Sequence, residues 1–506
     1  MKFQKSATLL ALTLGAVASI SLTSCGTASA AYSDKTIPAE DPTSVVTIKF
    51  WQCLGHAKSA NLQDIVDEFN EKWAGKYKVE SIKVAGSYDA LADAIKTKLS
   101  SGEIPAMAMG YPDSFSAYMT NDINNSALYR LDNFINDPTY GYTQAEQNDF
   151  VAEFLNEGKS YQFSGTWSMP MYKSTEIMYY NATYFAGVNE QNMSKFANDD
   201  EFLIKAAALE NKTSKATDAD LEEFKTYAKG KGAYTYDVPV TWNEMLATAR
   251  KMNEDRAAQN INDEFYPVGY DSDANMLISQ FAQRGIDYTA NSEEANQDAS
   301  KHYLFNNDKA KAFISEIVQN INDKLLITKA LLQNKYTNEL FTASKCAMTV
   351  GSTGGSSYNV SSNFTVRLAS VPYADGFQRK YIQQGPSICF FDNHNDQIHK
   401  GAWLFYKAMA DAEANAQLAL ANSYDPVRNS SYDTESYKSY IANHDLAMAY
   451  DIPYHTKDLR QYYMTSAVFP GSDVARVEIG NVLSYAINSK LGVEGALRKA
   501  YNTCVN

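Results

Sequence analysis

The sequence predicts an α/β fold, and three observations near its start carry that reading. Residues 45–51, VVTIKFW, are β-branched and aromatic, a composition that suits a pleated, half-buried strand. Leu62, Ile65, Val66, Phe69 and Trp73 then recur at the spacing of a helix with one apolar face. A second helix and a short apolar strand follow before residue 112. Strands and helices alternating in this order predict a mostly parallel sheet covered by helices.

The later elements follow from local signals. Ser87 is placed to cap a helix whose apolar face is Leu91, Ala94, Ile95 and Leu99, and which stops at Gly102 and Pro105. Residues 106–111 read as a buried strand, and a further strand is expected over 176–181. Thr241-Trp242-Asn243-Glu244 is a capping box, followed by Met245, Leu246, Ala249 and Met252 on one helix face. A strand over 346–351 runs into the Gly-rich loop STGGSS, residues 352–357. Residues 189–232 are polar and rich in Lys, Asp, Glu and Asn, with helices expected near 201–210 and 218–229. They read as a surface insertion.

The N-terminus carries an address. Lys2 and Lys5 precede an apolar run over 7–22 that is too short to span a bilayer, so residues 1–24 read as a secretory signal peptide. Leu22-Thr23-Ser24-Cys25 looks like a bacterial lipobox, in which Cys25 is acylated and becomes the first mature residue. The alternative is an ordinary signal peptide cut within the small residues 28–31. Residues 25–44 hold two prolines and no apolar period, and are expected to form a disordered tether.

Composition excludes some functions. The chain has 45 basic and 59 acidic residues, a net charge of −14, and no Lys/Arg cluster, which argues against a nucleic-acid partner. Its 35 tyrosines offer flat apolar faces with hydroxyls, suited to polar ring-shaped ligands, although substitution for Phe and Leu at surfaces is the open alternative. Cys53, Cys346, Cys389 and Cys504 form no CxxC pair, so no zinc or dithiol site is expected. An exported chain permits disulfides in three connectivities, but Cys346 and Cys389 lie in apolar runs that favour buried thiols, and none is predicted.

Catalytic signatures are missing. There is no G-x-S-x-G, no H-E-x-x-H and no phosphate loop, so no catalytic residues are expected. His394 and His399 stand in a polar loop, DNHNDQIHK, and are expected to be solvated. Asp271, Asp273 and Asn275 open like a calcium loop, yet Met276 and Ala282 occupy the positions that need Gly and Glu. The expectation is a binding protein without metal or cofactor.

Six segments in order resemble the extracellular solute-binding proteins of bacterial carbohydrate ABC importers. They are IKFWQ (48–52), SGEIPAMAMGYPDSF (101–115), MPMYKSTEIMYYNATYF (169–185), TWNEMLATARKM (241–252), LFTASKCAMTVGSTGG (340–355) and SYDPVRNSS (423–431). The similarity is nearest to the subgroup that includes the glycerol-3-phosphate-binding protein, through the doubled tyrosine before Asn181, the Gly-rich loop and the late TKDLR stretch, 456–460.

The resemblance implies a periplasmic-binding-protein fold of two α/β lobes joined by three crossings, near 173–177, 383–387 and 422–428. It assigns 45–173 with 384–425 to the first lobe, and 174–383 with 426–506 to the second. It implies closure around a small carbohydrate, membrane permease subunits as partners, a monomer, and an extracytoplasmic site on the cell membrane through the lipid anchor. Carried onto this sequence, the ligand-binding candidates are Trp51, Tyr88, Tyr111, Asp113, Lys173, Ser174, Tyr180, Tyr270, Asp271, Ser352, Thr353, Gly385, Ser387 and Arg460.

The departures from the subgroup bear on the ligand. Its tryptophan pair falls at GYDSDAN, where Tyr270 keeps one ring and Asp271 and Asp273 add negative charge. Lys173 replaces a serine and pulls the other way. A neutral mono- or oligosaccharide is therefore favoured over glycerol-3-phosphate or a phosphodiester. A secreted glycan-active lipoprotein enzyme, or a sensor that signals to a receptor, are the rivals from other classes.

Overall fold

A computed structural model describes residues 32–55, 59–120, 122–212, 216–332, 335–443 and 459–506. Cys25, the signal segment 1–24 and Thr456 lie outside the described residues. In chain order the strands are β1 Val46–Gln52, β2 Tyr77–Lys83, β3 Met107–Gly110, β4 Ser168–Pro170, β5 Ser174–Asn181 and β6 Tyr266–Tyr270. They continue with β7 Leu326–Thr328, β8 Cys346–Ser352, β9 Val366–Ala369, β10 Tyr381–Gln384, β11 Ser387–Phe390 and β12 Tyr463–Met464.

The first sheet has the order β2-β1-β3-β11-β4. Ile48 and Phe50 on β1 are fully buried while Lys49 between them is exposed, the period-two alternation of a strand with one covered face. β3 is buried throughout, as befits the middle of the sheet. Ser87 Oγ accepts the Ala90 N–H at 3.3 Å and starts the helix Tyr88–Ser100 as expected. The sheet is mixed rather than mostly parallel. β1, β2 and β3 run parallel, but β11 returns from the second sheet and pairs antiparallel with both β3 and β4.

The second sheet has the order β12-β10-β5-β8-β6-β7, and β9 pairs with the far end of β5. Thr241 and Glu244 complete the predicted capping box at the helix Trp242–Ala258. The helices Asp200–Glu210 and Asp218–Gly230 form near the expected positions. They are more than a solvated face: Phe202, Ala206, Leu209, Leu221, Phe224 and Ala228 make a small core of their own against Ala182 and Ala186.

Three chain segments meet between the sheets. Residues 171–173 link β4 to β5, and Gly385 with Pro386 links β10 to β11. Gly385 has φ +102°, and a Cβ there would stand 2.6 Å from the Tyr172 carbonyl oxygen, so the close approach requires glycine. Lys173 and Asp425 exchange backbone hydrogen bonds of 2.9 and 2.7 Å.

Asp425 thus touches this junction without the chain changing sheets there. Residues 426–443 stay with the first sheet, a correction to the expected boundary. The Val151 N–H donates to Val427 O at 2.9 Å, and the helix Glu435–Asn443 packs on Ala412–Ala421.

Two further expectations are corrected. Residues 32–44 of the expected tether lie on the first sheet's surface layer, where Ile37 is buried and Asp41 pairs with Lys76 and Lys400. His399 is buried against the Tyr129 ring, 4.5 Å between centroids, because its helix packs on the core, whereas His394 is exposed. Cys53, Cys346, Cys389 and Cys504 are all free thiols. No helix among the described residues is long and apolar enough to cross a membrane.

Candidate functional site

A small polar cavity of ≈ 30 Å³ lies between the two sheets. Tyr111 and Asp113, just past the end of β3, supply the first sheet's wall. Gln383 and Gln384 on β10, Thr465 and Ser466 after β12, and Arg476 on the helix Ser472–Ile487 face them. Strand ends are where open α/β sheets leave backbone and side chains free to meet a ligand.

The charges in this cavity are largely committed. Arg476 Nε stands 4.0 Å from Asp113 Oδ2, and its Nη2 donates to Asn275 Oδ1. Asn275 Nδ2 in turn donates to Gln384 Oε1 at 2.7 Å. Burial raises the Asp113 pKa to about 6, with Arg476 opposing the rise. Behind Asn275, Glu176 accepts a 2.7 Å bond from Tyr270 Oη, and burial pushes its pKa up to about 7. Two uncharged groups are left over. Gln383 Oε1 and Ser466 Oγ are buried with no hydrogen-bond partner among the described residues.

Next to the cavity is a tyrosine cluster. Tyr88 and Tyr111 have ring centroids 4.6 Å apart, and Tyr172 and Tyr424 are 4.8 Å apart. The Tyr88 hydroxyl is held well above its ordinary pKa by burial, then by neighbouring Tyr172, Tyr424 and Tyr111. The Gly-rich loop closes on this cluster, since a Cβ on Gly354 would come within 2.9 Å of the Tyr424 ring. The cluster therefore joins the first sheet, the junction and the second sheet.

The candidate residues divide by placement. Tyr88, Tyr111 and Asp113 come together at the cavity and cluster. Lys173 is fully buried and donates to Glu157 Oε2, to Ser387 Oγ at 2.8 Å and to Gly385 O at 3.1 Å, so it is not free to meet a ligand. Ser387 also donates to Glu157 Oε2. Gly385 and Ser387 thus serve the junction. Ser352 Oγ lies 3.5 Å from Ser174 Oγ and accepts the Gly354 N–H, while Thr353 Oγ1 accepts the Thr175 N–H at 3.3 Å. These hydroxyls stitch the Gly-rich loop to β5.

The remaining candidates stand apart from the cavity wall. Tyr270 is fully buried, its ring packed in the core and its hydroxyl spent on Glu176. Asp271 Oδ1 accepts from the Thr337 N–H at 2.6 Å and from its hydroxyl at 2.7 Å. Tyr180 lines a different cavity of ≈ 180 Å³ beside the insertion, with Phe185, Leu221 and Tyr236. Trp51 has its Nε1 buried without an acceptor among the described residues. Arg460 lies 4.2 Å over the Tyr432 ring, with Nε and Nη2 unpartnered among the described residues.

Sequence reasoning missed Glu157, Gln383, Ser466 and Arg476. None carries a local signal: Glu157 and Arg476 sit in helices, and their role depends on partners far away in the chain. Among the described residues no three His, Cys, Asp or Glu side chains gather to hold a metal ion.

The two sheets thus meet at their strand ends around a small polar cavity, with Tyr111 on its wall and the tyrosine cluster beside it. Residues 64–444 match the family model of the bacterial extracellular solute-binding proteins, and the chain belongs to that family. It is 28% identical over 96 residues to the sn-glycerol-3-phosphate-binding periplasmic protein UgpB of Rhizobium meliloti strain 1021, a match covering 19% of this chain and 22% of that one. Two solved structures share the fold over nearly the whole chain. UgpB from Mycobacterium tuberculosis in complex with glycerophosphocholine has a TM-score of 0.61 at 16% identity, covering 91% of this chain and 97% of that one. The ABC substrate-binding protein Lmo0181 from Listeria monocytogenes, in complex with cycloalternan, has a TM-score of 0.60 at 13% identity, covering 92% and 98%.

Proposed function

We propose that this protein is the receptor of an ABC importer, tethered outside the cytoplasm by acylated Cys25, that captures a neutral mono- or oligosaccharide by closing two lobes and delivers it to a membrane permease. Relatives on this fold bind both a cyclic glycan and a phosphodiester, so the choice rests on the site. One observation carries it. The cavity's cation, Arg476, is already engaged by Asp113 and Asn275, while Gln383 Oε1 and Ser466 Oγ are left without partners among the described residues. Sugar hydroxyls both donate and accept, and satisfy such groups without breaking the ion pair. Tyr111 beside them gives a sugar ring an apolar face to pack on.

A phosphate-bearing polyol is the second reading; Arg460, outside the cavity wall, would favour it, its Nε and Nη2 having no partner among the described residues. Thermal shift and calorimetry against sugars, glycerol-3-phosphate and glycerophosphodiesters separate the two. A sugar that raises Tm and reduces the radius of gyration supports the proposal. Tight binding of an anion with no response to any sugar overturns it.

A further inference from the structure

We propose that residues 32–44 are a strap that fastens the anchored end of the chain to the first sheet's lobe, so that this lobe is held at the membrane face and the second lobe is the half left to move. The inference rests on the lipid-anchor reading of Cys25 and concerns the segment C-terminal to that residue.

The strap is a built contact. Lys400, on the helix Asp396–Met409, has a fully buried side chain. Its Nζ lies 3.1 Å from Pro38 O, 3.2 Å from Glu40 O, 3.1 Å from Asp41 Oδ1 and 3.0 Å from Tyr140 Oη. An ammonium is buried only where oxygens replace its water, and the strap supplies most of those oxygens.

Arg130 makes a second fastening. Its Nε donates to Asp34 Oδ1 at 2.8 Å, its backbone N–H donates to Tyr32 Oη at 3.1 Å, and its guanidinium lies 5.4 Å from the Tyr32 ring. Lys35 pairs with Asp392 at 2.8 Å, Asn133 Nδ2 donates to Lys35 O at 3.1 Å, and Gln397 Nε2 donates to Glu40 O at 3.0 Å. All of these partners belong to elements packed on the first sheet.

Covalent geometry then limits the reach. Seven residue steps separate Cys25 from Tyr32, a span of at most about 25 Å when fully extended. If the strap let go back to the start of β1, twenty-one steps would allow about 75 Å. With the strap fastened, the face carrying Arg130 and Tyr32 stays within about 25 Å of the acylated residue. The second lobe, bonded to no part of the strap in these contacts, keeps its freedom to close.

The test uses the full-length acylated protein on a supported bilayer, with the protein layer's height profile read by neutron reflectometry. Lys400→Met removes the buried ammonium. The pair Tyr32→Ala and Asp34→Ala opens the strap through partly exposed residues and guards against a folding defect in the first variant. We expect the wild-type layer to begin within about 25 Å of the headgroups, and the Tyr32/Asp34 variant to spread outward. Trypsin cleavage after Lys35 should quicken at least tenfold in both variants, with sugar affinity unchanged. A wild-type layer beyond that reach, or identical height profiles and cleavage rates in all three proteins, overturns the strap. Failure to load on the bilayer defeats the anchor reading instead, and the cleavage comparison then decides the strap alone.

Discussion

Asp113 and Arg476 face each other across the cavity, Oδ2 to Nε 4.0 Å, one from the end of β3 and the other from the helix Ser472–Ile487. That helix packs on Asp273–Arg284 of the second layer and also reaches the short helix Pro112–Ser116 of the first. The pair therefore bridges the two halves directly beside the place a ligand would occupy. Its partial burial leaves a mark on titration, as does that of Glu176 behind it.

Stability should depend on pH through Glu176. Burial raises its pKa to about 7, against the hydrogen bonds of Tyr270 and Asn275, while an unfolded glutamate titrates near about 4.3. Between these values the folded state holds a proton that the unfolded chain has lost. The stabilisation is complete below the unfolded value and is lost as pH rises through about 7. His399, lowered to about 4 by burial, acts in the opposite sense as pH falls below its ordinary value. The wild-type curve mixes the two, so the comparison with Glu176→Gln is decisive. We expect the variant to lose less Tm than the wild type between pH about 5 and 8. Parallel calorimetric curves for the two proteins would show that Glu176 is not titrating in this range.

Breaking the junction should be costly in one specific way. Lys173 and Glu157 are both buried, and Ser387 donates to the same carboxylate oxygen that Lys173 holds. Lys173→Met strands that carboxylate and is expected to cost about 3–5 kcal/mol in denaturant unfolding. Adding Glu157→Gln removes the stranded charge and should restore a good part of the loss. If the double variant is no more stable than Lys173→Met alone, the ion pair is not what holds this junction.

Tyr270 should behave as a core residue with a polar duty. Tyr270→Ala removes a fully buried ring and is expected to cost about 3–5 kcal/mol. Tyr270→Phe keeps the ring but removes the donor to Glu176, at about 1–3 kcal/mol. Sugar affinity in the Phe variant, measured where it is folded, should stay close to wild type. A large loss of affinity with unchanged stability would return the ring to the ligand site.

The elements are legible in the sequence because their signals are local. The Ser87 cap, the Thr241 to Glu244 box and the alternation along β1 each need only a few neighbouring residues, and each forms in the structure. The placement of Tyr111 and Asp113 on the cavity wall is legible because both follow the end of β3, and strand ends follow from local signals. Lys173 reads as free because its partner Glu157 is an unmarked helix residue, and only folding brings them together. Residues 32–44 read as a tether because prolines and low apolar content describe any extended segment. Their ordering comes from Arg130 and Lys400, which lie elsewhere in the chain. Arg476 is invisible for the same reason.

Arg476 also decides the ligand class. The planar fork of a guanidinium suits a phosphate. In this cavity that fork already bonds Asn275 and faces Asp113. A neutral sugar leaves those contacts in place and gains ordinary hydrogen bonds from Gln383 and Ser466. Arg476→Ala would then cost about 1–2 kcal/mol, or about 5- to 30-fold in Kd, with little change between low and high salt. Gln383→Ala should weaken the same sugar by a similar factor, because it removes an Oε1 that has no partner among the described residues. An anionic ligand would instead have to pull Arg476 from Asp113. Its affinity would fall steeply with salt and by about 2–5 kcal/mol in Arg476→Ala, while Gln383→Ala would matter little. Calorimetric titration of both variants at two salt concentrations separates these patterns, and we expect the first.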